Sequence, residues 1–155
     1  MSDQHNVFMP HRHEDDQYIA RLTKLLAKRG ATVRDSSVDS SNPNRAKDPE
    51  YIKSLLAGGI RWAGKIIVLV SADTKHHPWV DWEIEYANRF PDKRIVGVWL
   101  PGADRCDLPE ALERYADAVV SWDAEEIIAA LEGDDNWQQP DGTPAPPRAI
   151  SRLGC

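Results

Sequence analysis

The sequence predicts an α/β protein in which a parallel sheet carries helices on both faces. Two continuous apolar runs, Lys65–Ser71 (KIIVLVS) and Arg94–Leu100 (RIVGVWL), have the composition of central strands covered on both sides. Segments with apolar residues at helical spacing lie between the strand patterns. Strand and helix patterns alternate along the chain, which is typical of parallel strands joined by right-handed crossovers.

The elements are predicted in the order β-α-β-α-β-α-β-α-β-α. The strands are His5–Met9, Ala31–Asp35, Lys65–Ser71, Arg94–Leu100 and Asp117–Trp122. The helices are His11–Gly30, a second that starts at Pro49, a third that starts near Pro78, then Leu108–Ala116 and Asp123–Gly133. Ligands of such folds bind beyond the carboxyl ends of the strands, so residues there are the candidates for chemistry.

Local signals set several helix boundaries. The first helix has one apolar face and ends at Gly30; its face comprises Ile19, Leu22, Leu25 and Leu26. Asp48 is the predicted N-cap of the second helix and Pro49 its first residue. The apolar face of this helix comprises Ile52, Leu55, Leu56 and Ile60. Asp123 is predicted to cap the last helix and Gly133 to end it.

Residues 1–133 are predicted to form one domain and residues 134–155 a tail with four prolines. The tail shows little periodicity, so we expect an extended arm or a disordered segment. Residues 36–48 (SSVDSSNPNRAKD) are turn-forming throughout, and loops of this length in compact domains are usually functional or mobile.

Composition limits the possible functions. The net charge of −6 argues against nucleic-acid binding as the main role, because phosphate contacts need a basic face. The sequence shows neither an apolar signal region nor a stretch long enough to cross a bilayer, so we expect a cytoplasmic protein without a membrane partner. The two cysteines, Cys106 and Cys155, have no metal-type spacing and predict no disulfide framework.

An acid lies among aromatic residues just beyond the third strand, in Trp79–Ala87 (WVDWEIEYA). Trp79 and Glu83 are four residues apart and therefore share one face of a helix. Two interpretations remain open from the spacing alone. Glu83 is either an exposed glutamate beside core tryptophans, or a carboxylate that flanks a cleft with Trp79 at the sheet edge.

Other groups of residues give weaker indications of a functional site. His11 and His13 alternate, but a zinc site needs further ligands, and His5, His76 and His77 are loosely placed, so we expect no metal. Arg12 could pair with a phosphate or with a surface acid. The sequence contains no Gly-rich phosphate loop and no nucleophile elbow, so dinucleotide dehydrogenases, P-loop enzymes and α/β-hydrolases are not indicated.

Four stretches taken together resemble TIR-like domains, in particular those of the Thoeris antiphage defence system. They are HNVFMPHRHEDD, DSSVDSSNPNRAKDPEYI, IIVLVSADT and WVDWEIEYA, and the resemblance covers roughly residues 5–133. It implies a flavodoxin-like three-layer fold, with a five-stranded parallel sheet in the order 2-1-3-4-5. It also implies NAD+ as the substrate, with no other cofactor and no metal.

The resemblance assigns roles to individual residues. The W-x-x-x-E pattern of enzymatic TIR domains falls on Trp79 and Glu83, which makes Glu83 the catalytic acid. The implied substrate-binding residues are Phe8, His11, Arg12, Asp35, Ser36, Ser37, Ser71 and Trp79. One departure is Pro10, which follows Phe8-Met9 where many members carry a serine, and proline lacks a backbone N–H.

The implied activity is cleavage of NAD+, with an ADP-ribosyl cyclase favoured over a hydrolase. The cyclic product would activate a separate effector, and the TIR surfaces would mediate self-association. Two alternatives stay open, namely a non-catalytic TIR interaction module and a flavodoxin-like enzyme acting on nucleosides. A response-regulator receiver would need an aspartate at the end of the third strand, where this sequence has Ser71.

Overall fold

The computed structural model of the protein describes residues 6–10, 16–36, 49–72, 74, 79–148 and 154–155. The strands within these ranges are β1 (Asn6–Pro10), β2 (Thr32–Ser36), β3 (Lys65–Val70), β4 (Arg94–Trp99) and β5 (Ala118–Val120). The helices are α1 (Asp16–Ala27), α2 (Pro49–Trp62), α3 (Val80–Asn88), α4 (Glu110–Tyr115) and α5 (Ala124–Glu132), with a short 3-10 helix, η1 (Arg105–Asp107).

The five strands form one parallel sheet in the order β2-β1-β3-β4-β5, as predicted. The chain runs outward from β1 to β2 and then crosses back to β3 on the other side of β1. The strand order therefore reverses between β1 and β3, where Val7 pairs with Lys65 and Phe8 with Ile66. This switch point is where flavodoxin-like sheets open a crevice for ligands.

Two hydrophobic cores cover the sheet, one on each face. Along β3, Ile66, Val68 and Val70 enter the core formed with α2, α3 and α4. Ile67 and Leu69 enter the opposite core, which is formed with α1 and α5. Burial on both faces explains why β3 and β4 read as continuous apolar runs.

Several predicted helix boundaries are confirmed. Oδ1 of Asp123 accepts hydrogen bonds from the N–H groups of Glu125 and Glu126 at 2.9 and 3.2 Å, which caps α5. Gly133 follows α5 with a φ of 126°, a value that a residue with a side chain rarely adopts. Pro49 begins α2, whereas the predicted cap Asp48 lies outside the described residues.

The predicted apolar face of α2 is wrong at Leu55, and the side chain of Ile52 lies outside the described part of the structure. Leu55 is 41% exposed, while Leu56 and Ile60 are buried. The helix therefore presents a narrower face to the sheet than the pattern indicated, and on that face Gly59 lies close to Phe8 of β1. The third helix begins near Pro78 as predicted, at Val80, with Trp79 as its N-cap residue.

In the described part of the tail, residues 134–148, the structure shows an arm that packs on the domain. Residues 136–138 of this arm lie along β5, where the N–H of Val119 donates to the carbonyl of Asn136 at 3.0 Å and the N–H of Gln138 donates to that of Val119 at 2.8 Å. Trp137 is buried in the core beside α4. The indole N–H of the fully buried Trp99 donates to the carbonyl of Gln138 at 2.9 Å.

A disulfide joins Cys106, in η1, to Cys155, so the expectation of no disulfide framework is wrong. The two Cα atoms are 5.6 Å apart although the residues are separated by 49 positions. Spacing could not reveal the pair, because only the tertiary fold brings the two residues together. None of the helices in the described ranges combines the length and the apolar character needed to cross a bilayer.

Reduction of this disulfide is expected to lower the free energy of unfolding by about 2–4 kcal/mol, because the open chain regains loop entropy. Urea denaturation with and without dithiothreitol measures the change. The double variant Cys106→Ser/Cys155→Ser is the control, and its midpoint should not respond to the reductant. Equal midpoints for the oxidised and reduced wild type would contradict the prediction.

Two adjacent glycines of α2 give a matched pair for testing the close approach of α2 to β1. A Cβ at Gly59 would overlap the ring of Phe8, whereas a Cβ at Gly58 would meet nothing within 4 Å. Gly59→Ala should therefore destabilise the protein by about 1–3 kcal/mol through overpacking. Gly58→Ala should stabilise it by up to about 1 kcal/mol through helix propensity. Thermal unfolding of both variants tests this, and the same sign for both would refute it.

Candidate functional site

The candidate site lies at the carboxyl edge of the sheet, near the switch between β1 and β3. Three described features mark it: Pro10 at the end of β1, Ser71 directly after β3, and Trp79 at the start of α3. Parallel strands end on the same side of the sheet, so these segments share one edge.

Glu83 is a buried acid on the face of α3 that packs toward the sheet. Its backbone N–H donates to the carbonyl of Trp79 at 2.9 Å, which forms the first turn of the helix. The side chain is 3% exposed and shares its face with Val80, Ile84 and Ala87. The structure therefore excludes the interpretation of Glu83 as an exposed surface glutamate.

The carboxyl group of Glu83 is incompletely satisfied. Among the described residues, its Oε2 has no hydrogen-bond partner. Burial raises the pKa of Glu83 well above its ordinary value, because an apolar environment disfavours the charged form. A buried acid with an unpartnered oxygen is costly for the fold, and such groups concentrate where a ligand is bound or a proton is moved.

Aromatic residues line the same helix. Trp79 contacts Trp82 edge-on with ring centroids 6.3 Å apart, and Trp82 stacks on Tyr86 at 5.1 Å. Tyr86 then meets Phe90 edge-on at 5.4 Å. These four rings are partly buried against the core beside α2, so packing is one of their roles. Trp79 occupies the N-cap position without a side-chain cap hydrogen bond.

The turn after β3 is held by Thr74, which the sequence analysis missed. Thr74 is 3% exposed, and its Oγ1 accepts from the N–H of Ser71 at 2.7 Å and donates to the carbonyl of Leu69 at 3.1 Å. The Oγ atoms of Thr74 and Ser71 are 3.1 Å apart. The signal was present, since a serine and a threonine three residues apart directly after a buried strand are typical of side-chain-stabilised turns.

The structure brings only some of the predicted site residues together. Phe8 is 1% exposed and packs in the core against Gly59. Asp35 pairs with Met9 and Ser36 with Pro10, so the ends of β2 and β1 are adjacent. His11, Arg12 and Ser37 lie outside the described residues, and the substrate-binding roles remain predictions.

The five histidines also lie outside the described residues. Within the described part of the chain, no group of three or more His, Cys, Asp or Glu side chains could hold a metal ion.

A small cavity lies at the opposite edge of the sheet, near the starts of β1 and β3. Its volume is about 100 Å³, and aliphatic side chains line most of it, among them Val7, Leu26 and Leu131. Burial lowers the pKa of Lys65, which reaches this cavity. The volume is well below the roughly 300 Å³ at which ligand pockets begin, so this cavity is not the candidate site.

The architecture defines the chain as a flavodoxin-like α/β protein, and two solved structures from Burkholderia pseudomallei share its fold. The first is a protein described as pilus assembly-related, with a TM-score of 0.55 and 15% identity over 85% of this chain and 90% of that one. The second is a response regulator with a phosphorylated aspartic acid, with a TM-score of 0.53 and 18% identity over 84% of this chain and 68% of that one. At these identities the likeness concerns the fold alone.

A comparison of the amino-acid sequence with protein-family models identifies the family of this chain. Residues 8–105 match the model of the TIR-like domain of Thoeris protein ThsB, and this match spans more than half of the chain. The chain belongs to this family, which makes it a TIR module of the kind found in antiphage defence. A search of curated proteins finds no match.

The buried state of Glu83 predicts a specific pH dependence of stability. A carboxyl whose pKa is raised in the folded state contributes most below its unfolded pKa, and its contribution falls as pH rises toward the folded pKa. Glu83→Gln removes this loss, so the variant should gain stability relative to wild type as pH increases above about 4.5. One proton limits the slope to about 1.4 kcal/mol per pH unit.

Denaturant unfolding between pH 4 and 8, a range that runs from about the ordinary pKa of a glutamate to well above it, measures this difference. Glu85→Gln, at an exposed position of the same helix, is the matched control for the loss of one carboxylate. A stability difference between Glu83→Gln and wild type that does not change with pH would show that Glu83 is not a buried, neutral acid.

Proposed function

We propose that the protein is a TIR enzyme that cleaves NAD+, most simply an ADP-ribosyl cyclase that makes a cyclic ADP-ribose isomer. The observation that carries this proposal is Glu83, a buried acid on the helix that starts at the carboxyl edge of the sheet, whose Oε2 finds no hydrogen-bond partner in the described part of the chain. Its place in the pattern Trp79-Val80-Asp81-Trp82-Glu83 and the family match support the assignment.

The chemistry requires one carboxylate. The bond between the ribose C1′ and the ring nitrogen breaks, and its electron pair passes to the ring, so cationic nicotinamide leaves as a neutral molecule. Positive charge then develops on the ribose in an oxocarbenium-like state, which an adjacent carboxylate stabilises. The arriving pyridinium cation itself favours the ionised form of Glu83, because an opposite charge lowers a carboxyl pKa.

The identity of the nucleophile sets the product. Attack by a hydroxyl of the adenosine ribose on C1′ gives a cyclic isomer, and the hydroxyl proton passes to Glu83 or to water. Attack by water gives ADP-ribose instead. Exclusion of water by a folded substrate favours the cyclic product.

In this proposal the cyclic nucleotide is the output of the protein. It diffuses to a separate effector protein and activates it during antiphage defence. Self-association of TIR surfaces would precede activity, as the family resemblance implies. The cytoplasm, where NAD+ is abundant, is the proposed site of action.

The test is NAD+ turnover by purified protein at several concentrations, with the products resolved by mass spectrometry. Glu83→Gln should lower the rate of nicotinamide release by at least about a hundredfold, because the amide keeps the shape of the side chain and removes its negative charge. Glu85→Gln, exposed on the same helix, should retain activity. Loss in both variants would point to a general defect in α3. Inactivity of the wild type at high concentration, with and without lysate from phage-infected cells, would favour a non-catalytic TIR interaction module.

A further inference from the structure

The hydroxyl groups of Ser71 and Thr74 form a hydrogen-bond chain at the carboxyl end of β3. Oγ1 of Thr74 has three polar neighbours: the carbonyl of Leu69 at 3.1 Å, the N–H of Ser71 at 2.7 Å and Oγ of Ser71 at 3.1 Å. A threonine hydroxyl has one proton to donate and two lone pairs to accept with. All three capacities are therefore in use.

The direction of each hydrogen bond follows from the chemistry of the partners. The carbonyl of Leu69 can only accept, so Thr74 donates its single proton there. The N–H of Ser71 can only donate, so Thr74 accepts it. The third contact must then run from the Ser71 hydroxyl to the remaining lone pair of Thr74.

The hydrogen bond from Thr74 to the carbonyl of Leu69 determines the direction of the other two. The described β1–β3 ladder ends at the pair Phe8–Ile66, so the Leu69 carbonyl lies beyond it. Leu69 is 2% exposed, and a buried carbonyl without a donor is costly. Thr74 supplies that donor and its proton is not free to turn toward Ser71.

The hydroxyl proton of Ser71 is therefore assigned to Thr74, which leaves the lone pairs of Ser71 Oγ as its remaining hydrogen-bonding capacity. Ser71 is half-buried, directly after β3 and at the same edge as the first turn of α3. Toward a ligand bound at this edge, the Ser71 hydroxyl can then act only as an acceptor. Serine hydroxyls usually offer both donor and acceptor, and Thr74 removes this ambiguity.

We propose that Ser71 is a specificity-determining residue that accepts a hydrogen bond from an N–H or O–H donor of the substrate. This inference rests on the proposed function. NAD+ carries two kinds of hydrogen-bond donor near the scissile bond, the carboxamide N–H of nicotinamide and the hydroxyls of the adjacent ribose. If the carboxamide is the donor, a carboxylate in its place would face the Ser71 lone pairs and be rejected.

The experiment compares kcat/KM for NAD+, for its nicotinic acid analogue and for an analogue that lacks the 2′-hydroxyl of the nicotinamide ribose. Wild type should have a kcat/KM for NAD+ that exceeds the value for one of the two analogues by about tenfold to a hundredfold, because that analogue lacks the donor that Ser71 accepts from. Ser71→Ala should reduce that preference by about tenfold. Ser121→Ala, which alters the serine directly after β5, is the matched control and should keep the preference.

Thr74 variants separate hydrogen-bond direction from general damage. Thr74→Val frees the Ser71 proton, which can then be donated to a carboxylate, so the preference for the carboxamide over the acid should fall about tenfold. Thr74→Ser keeps the hydroxyl and should keep the ratio. A purely structural role would lower kcat/KM for all three substrates by the same factor.

The outcomes distinguish the two possible donors of the substrate, and they distinguish the Ser71 inference from the proposed function. If Ser71→Ala changes only the ratio of kcat/KM for NAD+ to that for the 2′-deoxy analogue, the donor is a ribose hydroxyl. Unchanged ratios in both Ser71→Ala and Thr74→Val overturn the inference, even if NAD+ is cleaved. Calorimetric binding of the three compounds to Glu83→Gln gives a second readout without turnover. If the three compounds bind to Glu83→Gln with different affinities but wild type cleaves none of them, the proposed function alone is wrong. If none of them binds, both the proposed function and the inference about Ser71 are wrong.

Discussion

The burial of β3 on both faces is the constraint on which the site depends. Its side chains enter one core or the other, so polar groups near this strand are confined to its ends. Two polar side chains are buried among the described residues, Thr74 and Glu83. Thr74 is fully hydrogen-bonded and holds the turn after the strand, whereas Oε2 of Glu83 has no partner among the described residues. The first pattern is typical of a structural polar group, and the second is common where a protein binds a ligand or moves a proton.

Much of the fold could be predicted from the sequence, because local physics sets it. The apolar runs of β3 and β4, Pro49 at the start of α2 and the caps of α5 each act within a few residues. The candidate acid could be found for a related reason, since the spacing of Trp79 and Glu83 is a local pattern. Its burial could not be predicted, because spacing places a residue on a face of a helix and does not say what covers that face.

The remaining features depend on contacts between distant residues. Leu55 and Leu56 are equally apolar, and which of them is exposed depends on how α2 packs against the sheet. The pairing of Cys106 with Cys155 and the hydrogen bonds between Val119 and the arm join residues far apart in sequence. Thr74 was missed for another reason. Its role depends on a carbonyl left beyond the end of the β1–β3 ladder, and a sequence does not show where a ladder ends.

The arm along β5 also bears on how copies of this domain can meet. The N–H and carbonyl of Val119 are both occupied by the arm, so the β5 side of the sheet has no free backbone groups at this residue for another chain. β2 forms the other margin of the sheet and, within the described residues, pairs with β1 alone. Strand addition between copies is therefore confined to the β2 margin, where it would join two copies in a closed pair and could not extend into a filament, whereas assembly through helices would remain open on both faces.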